Sequence, residues 1–260
     1  MPATVRRLLV LGGSFDPPHH GHIQLPLVVR QHLERAVPAP ASIHLLLVPA
    51  ARSPHKPFAP RAPDEHRLAM LTLATEHLPR VSIWTDELNR AAYGNASTSA
   101  NTASPSYTID TLTRLSQWLH SPAAPAHASD LQITLLIGAD QALAFHLWHR
   151  AAELLRRFTP VVMLRALQPA HPTHHAHPTQ PTSSQALLAG VAIARSPEGS
   201  SAWNADDLAL WSRTIVPTGR LDVSSTSVRA ALAADDQHTL ARALDPLVLA
   251  YIRKHRLYQA

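Results

Sequence analysis

Short apolar runs recur along the 260-residue chain, with segments of helical periodicity between them. Residues 5–11, 43–48, 81–84, 131–137 and 160–164 are near-continuous apolar runs, the pattern of strands buried on both faces. Residues 20–35, 64–78, 106–120 and 140–156 carry apolar positions at helical spacing. In 64–78, Leu68, Met70, Leu71, Ala74 and Leu78 line one face behind Asp64, a residue type suited to cap the start. Strands alternating with helices predict an α/β fold, a doubly wound parallel sheet with helices on both faces. The last third reads as mostly helical, clearest at 225–234 and 246–255, and makes a helical C-terminal appendage from about residue 224.

Three stretches interrupt this pattern. Residues 91–105 are rich in Ala, Ser, Thr and Asn, and 121–129 form a Pro/Ala linker. Residues 168–185 contain four prolines with His171, His174, His175 and His177. Such compositions do not build a packed core, so 91–105 and 166–185 read as flexible inserts in a single domain spanning 1–260. Histidine is a metal-ligand type, but a tract without an ordered framework fixes no coordination geometry, and no metal site is predicted.

Composition narrows the function classes. Hydrophobic residues make up 45%, enough for a sizeable core. Charged residues are only 16%, against roughly 25% in an average globular chain, which excludes a charge-rich disordered protein. Cysteine is absent, which excludes a disulfide scaffold, a thiolate nucleophile and a cysteine-ligated zinc or iron–sulfur site. No apolar run approaches the ~18 residues of a membrane span. The run after Arg6-Arg7 stops at Gly12-Gly13 with no small-residue cleavage site, as a buried first strand would. A cytoplasmic location is expected. The net charge of +5 suits an anionic partner. Its basic residues are scattered and aromatics are few, which favours small phosphates over nucleic acid.

Glycine is scarce, eight in the chain, yet Gly12, Gly13 and Gly21 fall within ten residues between the first predicted strand and helix. Glycines there let the backbone approach a ligand, and the helix start offers N–H groups to an anion. For the glycine pair alone, a tight turn is the simpler reading. His19 and His22 change that: three apart, they share one side of a first helical turn and can donate to phosphate oxygens. His20 points elsewhere. Neither the Walker pattern nor GxGxxG is present. Near the far end, Ser224-Ser225-Thr226-Ser227-Val228-Arg229 reads as a helix start capped by Ser225 or Thr226, with Arg229 one turn in. Lys56, in Pro54-His55-Lys56 after the second strand, can bring a point charge to the same crevice; alone it is a surface lysine.

Together, GGSFDPPHHGH at 12–22 and SSTSVR at 224–229 resemble the end motifs of the nucleotidyltransferase superfamily that makes dinucleotides and related adenylates. Between them stand Pro54-His55-Lys56, Glu87-Leu88-Asn89-Arg90, Ser106-Tyr107-Thr108-Ile109-Asp110-Thr111-Leu112, Ile137-Gly138-Ala139-Asp140, and Phe145 with Trp148. Their order and approximate spacing resemble the bacterial nicotinate-nucleotide adenylyltransferases over most of the chain. The resemblance implies a Rossmann-like sheet and adenylyl transfer from ATP to nicotinate mononucleotide, giving deamido-NAD and pyrophosphate in NAD biosynthesis. It implies His19, His22, Lys56 and Arg229 as catalytic phosphate contacts, with His22 nearest the α-phosphate. Gly12, Gly13, Ser14, Phe15, Gly138, Asp140, Ser225 and Thr226 are the implied ATP contacts, and Tyr107, Thr108 and Trp148 the acceptor contacts. Mg²⁺ is expected to accompany ATP, held mainly by phosphate oxygens and water. Asp16, ahead of two prolines, is read as shaping the turn.

Two departures stand out. The 91–105 segment lengthens the link between the ExxR and SYT elements, and Arg165-Ala166-Leu167 stands where the family commonly has Arg-Pro-Gly. No ligand role is therefore carried over to Arg165. The alternatives are a nicotinamide mononucleotide or phosphopantetheine adenylyltransferase, or a non-catalytic nucleotide- or nucleic-acid-binding module. The phosphopantetheine enzymes lack the SYT and tryptophan elements, and binding alone needs fewer of the four phosphate-directed side chains.

Overall fold

The computed structural model describes residues 5–36, 42–52, 59–97, 106–125, 128–164, 183–195, 200–219 and 221–259. Strand β1 (Val5–Gly13) leads into α1 (His20–Arg35), β2 (Ser42–Pro49) into α2 (Asp64–Thr75), and β3 (Val81–Ile83) into α3 (Asp86–Ser97) and α4 (Thr108–Leu119). Then come β4 (Gln132–Gly138), α5 (Ala139–Leu143), α6 (Ala151–Phe158), β5 (Val161–Leu164), α7 (Ser184–Ala192), α8 (Ala205–Ser212) and β6 (Ile215–Pro217). Helices α9 (Ser225–Ala233), α10 (Gln237–Ala243) and α11 (Pro246–Lys254) follow.

All six strands pair in parallel, in the order β3-β2-β1-β4-β5-β6. The chain winds outward from β1 to β3, returns to lay β4 beside β1, and winds outward the other way. Winding reverses between β1 and β4, and the crevice outside their carboxyl ends is where open sheets of this kind hold ligands. The β1–α1 turn, with its glycines and histidines, lies at that point.

The strand pleat sorts side chains into two cores. Leu8, Val10, Leu46, Val48 and Leu135 face one way, covered by Ile109, Leu112 and Leu115 of α4 and Leu154, Leu155 and Phe158 of α6. Leu9, Leu11, Ile43, Leu45 and Leu47 face the other, under Ile23 and Val29 of α1, Met70 and Leu71 of α2, Val228 of α9, and Val248 and Ile252 of α11. Cover on both faces is why the strands read as unbroken apolar runs.

Several expected boundaries shift. The helix expected over 140–156 is broken around Trp148-His149-Arg150. Arg150 adopts a left-handed conformation, φ 55°, as the N-cap of α6, which an unbroken helix cannot contain. Helix α3 runs to Ser97, so the expected insert at 91–105 begins within a helix, and 98–105 lies outside the described residues. Ser184 and Gln185 begin α7, while Arg165 and the four-histidine tract also lie outside. Pro63, not Asp64, is the N-cap of α2. Strand β6 escapes the sequence reading because three residues carry less than two periods of alternation. Among the described residues no helix is long and apolar enough to cross a membrane.

Candidate active site

An anion-binding turn must offer N–H groups to its ligand and keep carbonyl dipoles away. After β1, four carbonyls are taken up by the protein's own donors. Gly13 O accepts from Ala50 N at 2.8 Å, and Ser14 O from the Arg67 guanidinium at 2.5 Å. Asp16 O accepts from Arg229 at 2.6 Å, and Pro17 O from the Ser225 hydroxyl at 3.2 Å. The donors come from β2's exit, α2 and α9, so three neighbouring elements fix one turn.

Phe15 sits inside that turn at φ 46°, almost fully buried. A bulky residue in the left-handed region costs on the order of 1–3 kcal/mol and persists only where its surroundings enforce it. Its ring fills the space beside Gly13, where an added Cβ would stand 3.2 Å from the ring, and meets His22 edge-on at a centroid distance of 5.0 Å. Asp16 is buried; its Oδ2 accepts from Arg61 N at 2.8 Å and its Oδ1 from Ala62 N at 3.1 Å. Its carboxylate serves the backbone.

His19 is the N-cap of α1, in a reciprocal capping box with His22. His19 Nδ1 accepts from Gly21 N at 3.1 Å, and His22 Nδ1 accepts from His19 N at 3.3 Å. A ring nitrogen that accepts carries no proton, so both imidazoles hold theirs on Nε2. The rings stack 3.7 Å apart. Capping thus selects the tautomer whose remaining N–H can donate to an anion. Gly21 makes room: a Cβ there would come within 3.0 Å of the His19 ring and 3.1 Å of Val223. His20 turns to the Arg242 carbonyl at 2.9 Å.

Helix α9 docks its N-terminus against this turn. Its cap is Ser224, boxed with Ser227, rather than Ser225 or Thr226. Ser225 instead reaches Pro17 O, and Thr226 Oγ1 accepts from Arg229 at 3.2 Å. Two of the five Arg229 donors are therefore committed to Asp16 O and Thr226. Beside β1, Gly138 ends β4 and caps α5, with Gln141 closing the box; Asp140, in the first turn, is exposed rather than capping. Gly12 is exposed with open space around it. Lys56, with Pro54 and His55, lies outside the described residues.

Of the expected acceptor residues, two stand at the start of α4, and Trp148 adjoins the residue that packs on one of them. Tyr107 is the N-cap of α4 and Thr108 its first residue. The Tyr107 ring packs on His149 at 4.3 Å, and Trp148 stacks on buried Phe145 at 4.9 Å. A cavity of about 590 Å³ opens beside Trp148, with Trp203, Arg150 and Arg156 among its walls. A smaller one of about 160 Å³ lies against Pro18 and His19.

Glu87 ties α3 to α4, accepting from the Thr111 hydroxyl at 2.7 Å. Burial pushes its carboxyl up, and the Thr111 and Ser106 hydroxyls and Arg114 only partly offset this. A raised folded-state pKa means stability complete below the ordinary glutamate value and lost as pH rises through the folded one. Glu87→Gln removes that titration. Melting temperatures from pH 4 to 8 are expected to show the parent losing stability relative to the variant as pH rises; parallel curves would contradict this.

Two anchors, Arg67 and Tyr258, have no motif to announce them. Arg67 is fully buried, bridging Ser14 O and Asp64 at 2.6 Å. Its only sequence signal is a charge within an apolar helical face. Ser224 was legible as a capping type, one position from where it was expected. Tyr258, whose phenol reaches Asp16 across 242 residues, has no local signal.

A parallel sheet of this winding, with a capped histidine pair and a second docked helix at the switch point, defines a nucleotide-handling site. The cytidylyltransferase-like family model matches residues 10–231, and the chain belongs to that family. More narrowly, it is 33% identical over 261 residues to the Pseudomonas putida (strain W619) protein named "Probable nicotinate-nucleotide adenylyltransferase", covering 99% of this chain and 97% of that one. A Chromobacterium violaceum protein of the same name is 30% identical, with 97% and 99% covered. The fold is also that of Plasmodium falciparum nicotinic acid mononucleotide adenylyltransferase, solved with APC. The TM-score is 0.55 at 16% identity, over 97% of each chain.

Proposed function

We propose that this protein transfers the adenylyl group of ATP to nicotinate mononucleotide, forming deamido-NAD and pyrophosphate. The observation that carries the reading is the His19–His22 pair, held by its own capping box in the Nε2–H form at the β1/β4 switch point. The two relatives' names agree with it.

The acceptor's phosphate oxygen attacks the α-phosphorus, a new P–O bond forms, and the bond to the β-phosphate oxygen breaks, releasing pyrophosphate. The nucleophile is already anionic, so catalysis reduces to alignment and charge stabilisation. His22 donates to the α-phosphate and His19 to its neighbour. The turn at Gly12, Gly13, Ser14 and Phe15 offers backbone contacts, while Ser225, Thr226 and Arg229 serve the leaving phosphates; the charge role of Lys56 rests on its motif alone. Gly138 and Asp140 suit the ribose. Mg²⁺ enters with ATP: Asp16, the carboxylate within the turn, is engaged by two backbone N–H groups, so coordination falls to phosphate oxygens and water. A cytoplasmic setting belongs to the same proposal.

For the acceptor, the N–H groups at the start of α4 suit a ring carboxylate and Trp148 offers a face for the pyridine. Base–aromatic stacking contributes roughly 1–3 kcal/mol. Trp148→Ala is therefore expected to raise KM for nicotinate mononucleotide about tenfold while KM for ATP stays within about twofold. Equal effects on both substrates in steady-state assays would remove Trp148 from the acceptor pocket.

A further inference from the structure

We infer that Tyr258 is a positioning residue for the phosphate-binding turn, acting through the buried carboxylate of Asp16. Its phenol donates to Asp16 Oδ1 at 2.7 Å, across 242 residues of sequence. The same carboxylate accepts from Arg61 N and Ala62 N just ahead of α2. Asp16 is thus gripped from two sides, by the approach to α2 and by the segment after α11. Helices α2 and α11 pack on one another, which ties the two sides of the grip together.

The chain bends sharply to make this contact. Arg256 and Tyr258 both lie in the left-handed region, at φ 52° and 61°. Each is disfavoured for a residue with a Cβ, and such conformations persist where surrounding contacts over-determine them. Between them Leu257 N closes onto Ile252 O at 3.0 Å. Burial first, and then the hydrogen bond and charge of Asp16, raise the phenol well above its ordinary range. It remains a donor at any working pH.

The consequence falls on the turn. Asp16 O is the acceptor that Arg229 holds, and Pro17 O is held by Ser225. His19 follows two residues on. Removing the phenolic hydrogen bond leaves Oδ1 with Ala62 N and frees one side of the turn that aims both histidines. Misplacements of about 1 Å in such a site can cost on the order of a hundredfold in rate.

This inference rests on the adenylyl-transfer reading, so its test carries an arm independent of turnover. Tyr258→Phe keeps the ring and removes the hydroxyl. Tyr251→Phe is the control: on α11, its hydroxyl pairs with the His66 ring at 2.9 Å rather than with Asp16. Calorimetric MgATP affinity, KM for each substrate and melting temperature are measured for the parent and both variants. Tyr258→Phe is expected to weaken MgATP binding and raise KM for ATP about tenfold, the scale of one hydrogen bond to a charged group. KM for nicotinate mononucleotide should stay within about twofold, and Tyr251→Phe should match the parent. A Tyr258→Phe variant that binds MgATP as the parent does, or that loses only thermal stability, overturns the assignment. If the parent binds MgATP but makes no deamido-NAD, the functional reading fails while the affinity comparison still decides the role of Tyr258. A parent that binds no MgATP overturns both.

Discussion

His22→Ala is expected to lower kcat by about a thousandfold while leaving a folded protein. Removing one preorganised donor to a developing charge costs roughly 10²–10³ in rate, and here a second contact goes with it. His22 Nδ1 accepts from His19 N, and its ring stacks on His19. Its loss therefore loosens the neighbouring imidazole as well as deleting a donor. The fold should survive because His22 is only half-buried and the core beneath is built by Ile23, Leu25 and Val29. Circular dichroism and single-turnover kinetics check the two halves. A folded variant with parent-like turnover would remove this pair from the mechanism.

Gly21→Ala carries the second large expectation. Glycine is required here by space, since a methyl group would meet the His19 ring at 3.0 Å and Val223 at 3.1 Å. Neither neighbour yields easily: His19 is pinned as the helix cap, and Val223 is buried just ahead of α9. Relief must come from displacing His19, or from pushing the α9 end away from the turn it braces. Either movement breaks the alignment, and a loss of about a hundredfold in kcat/KM is expected. Overpacking should also cost roughly 1–3 kcal/mol of stability. Parent-like kinetics in the Gly21→Ala variant would show that spacing at Gly21 is irrelevant.

The parts of this molecule legible in its sequence are those fixed by local rules. Unbroken apolar strands, helical periodicity in 20–35 and the glycine–histidine cluster each depend on neighbours a few residues apart, and they locate β1, α1 and the turn between them. The break near Trp148 was hidden because its apolar spacing continues through a residue, Arg150, whose backbone leaves the helix. Helix α3 was hidden by an Ala/Ser/Asn composition that also suits a loop. The bracing side chains were hidden for a different reason. Arg67 meets Ser14 across 53 residues, and Tyr258 meets Asp16 across 242; no periodicity encodes a contact at that range. Motifs picked out the glycine–histidine turn, while only the fold reveals what holds it in place.

The most direct test is pyrophosphate release from MgATP in the presence of nicotinate mononucleotide, nicotinamide mononucleotide or phosphopantetheine in separate reactions. Rapid release is expected with nicotinate mononucleotide, with deamido-NAD as the product, and slow or no release with the other two. Preference for another acceptor would keep adenylyl transfer but contradict the pocket at Tyr107, Thr108 and Trp148. No release with any acceptor from folded, ATP-binding protein would rule out adenylyl transfer by this site.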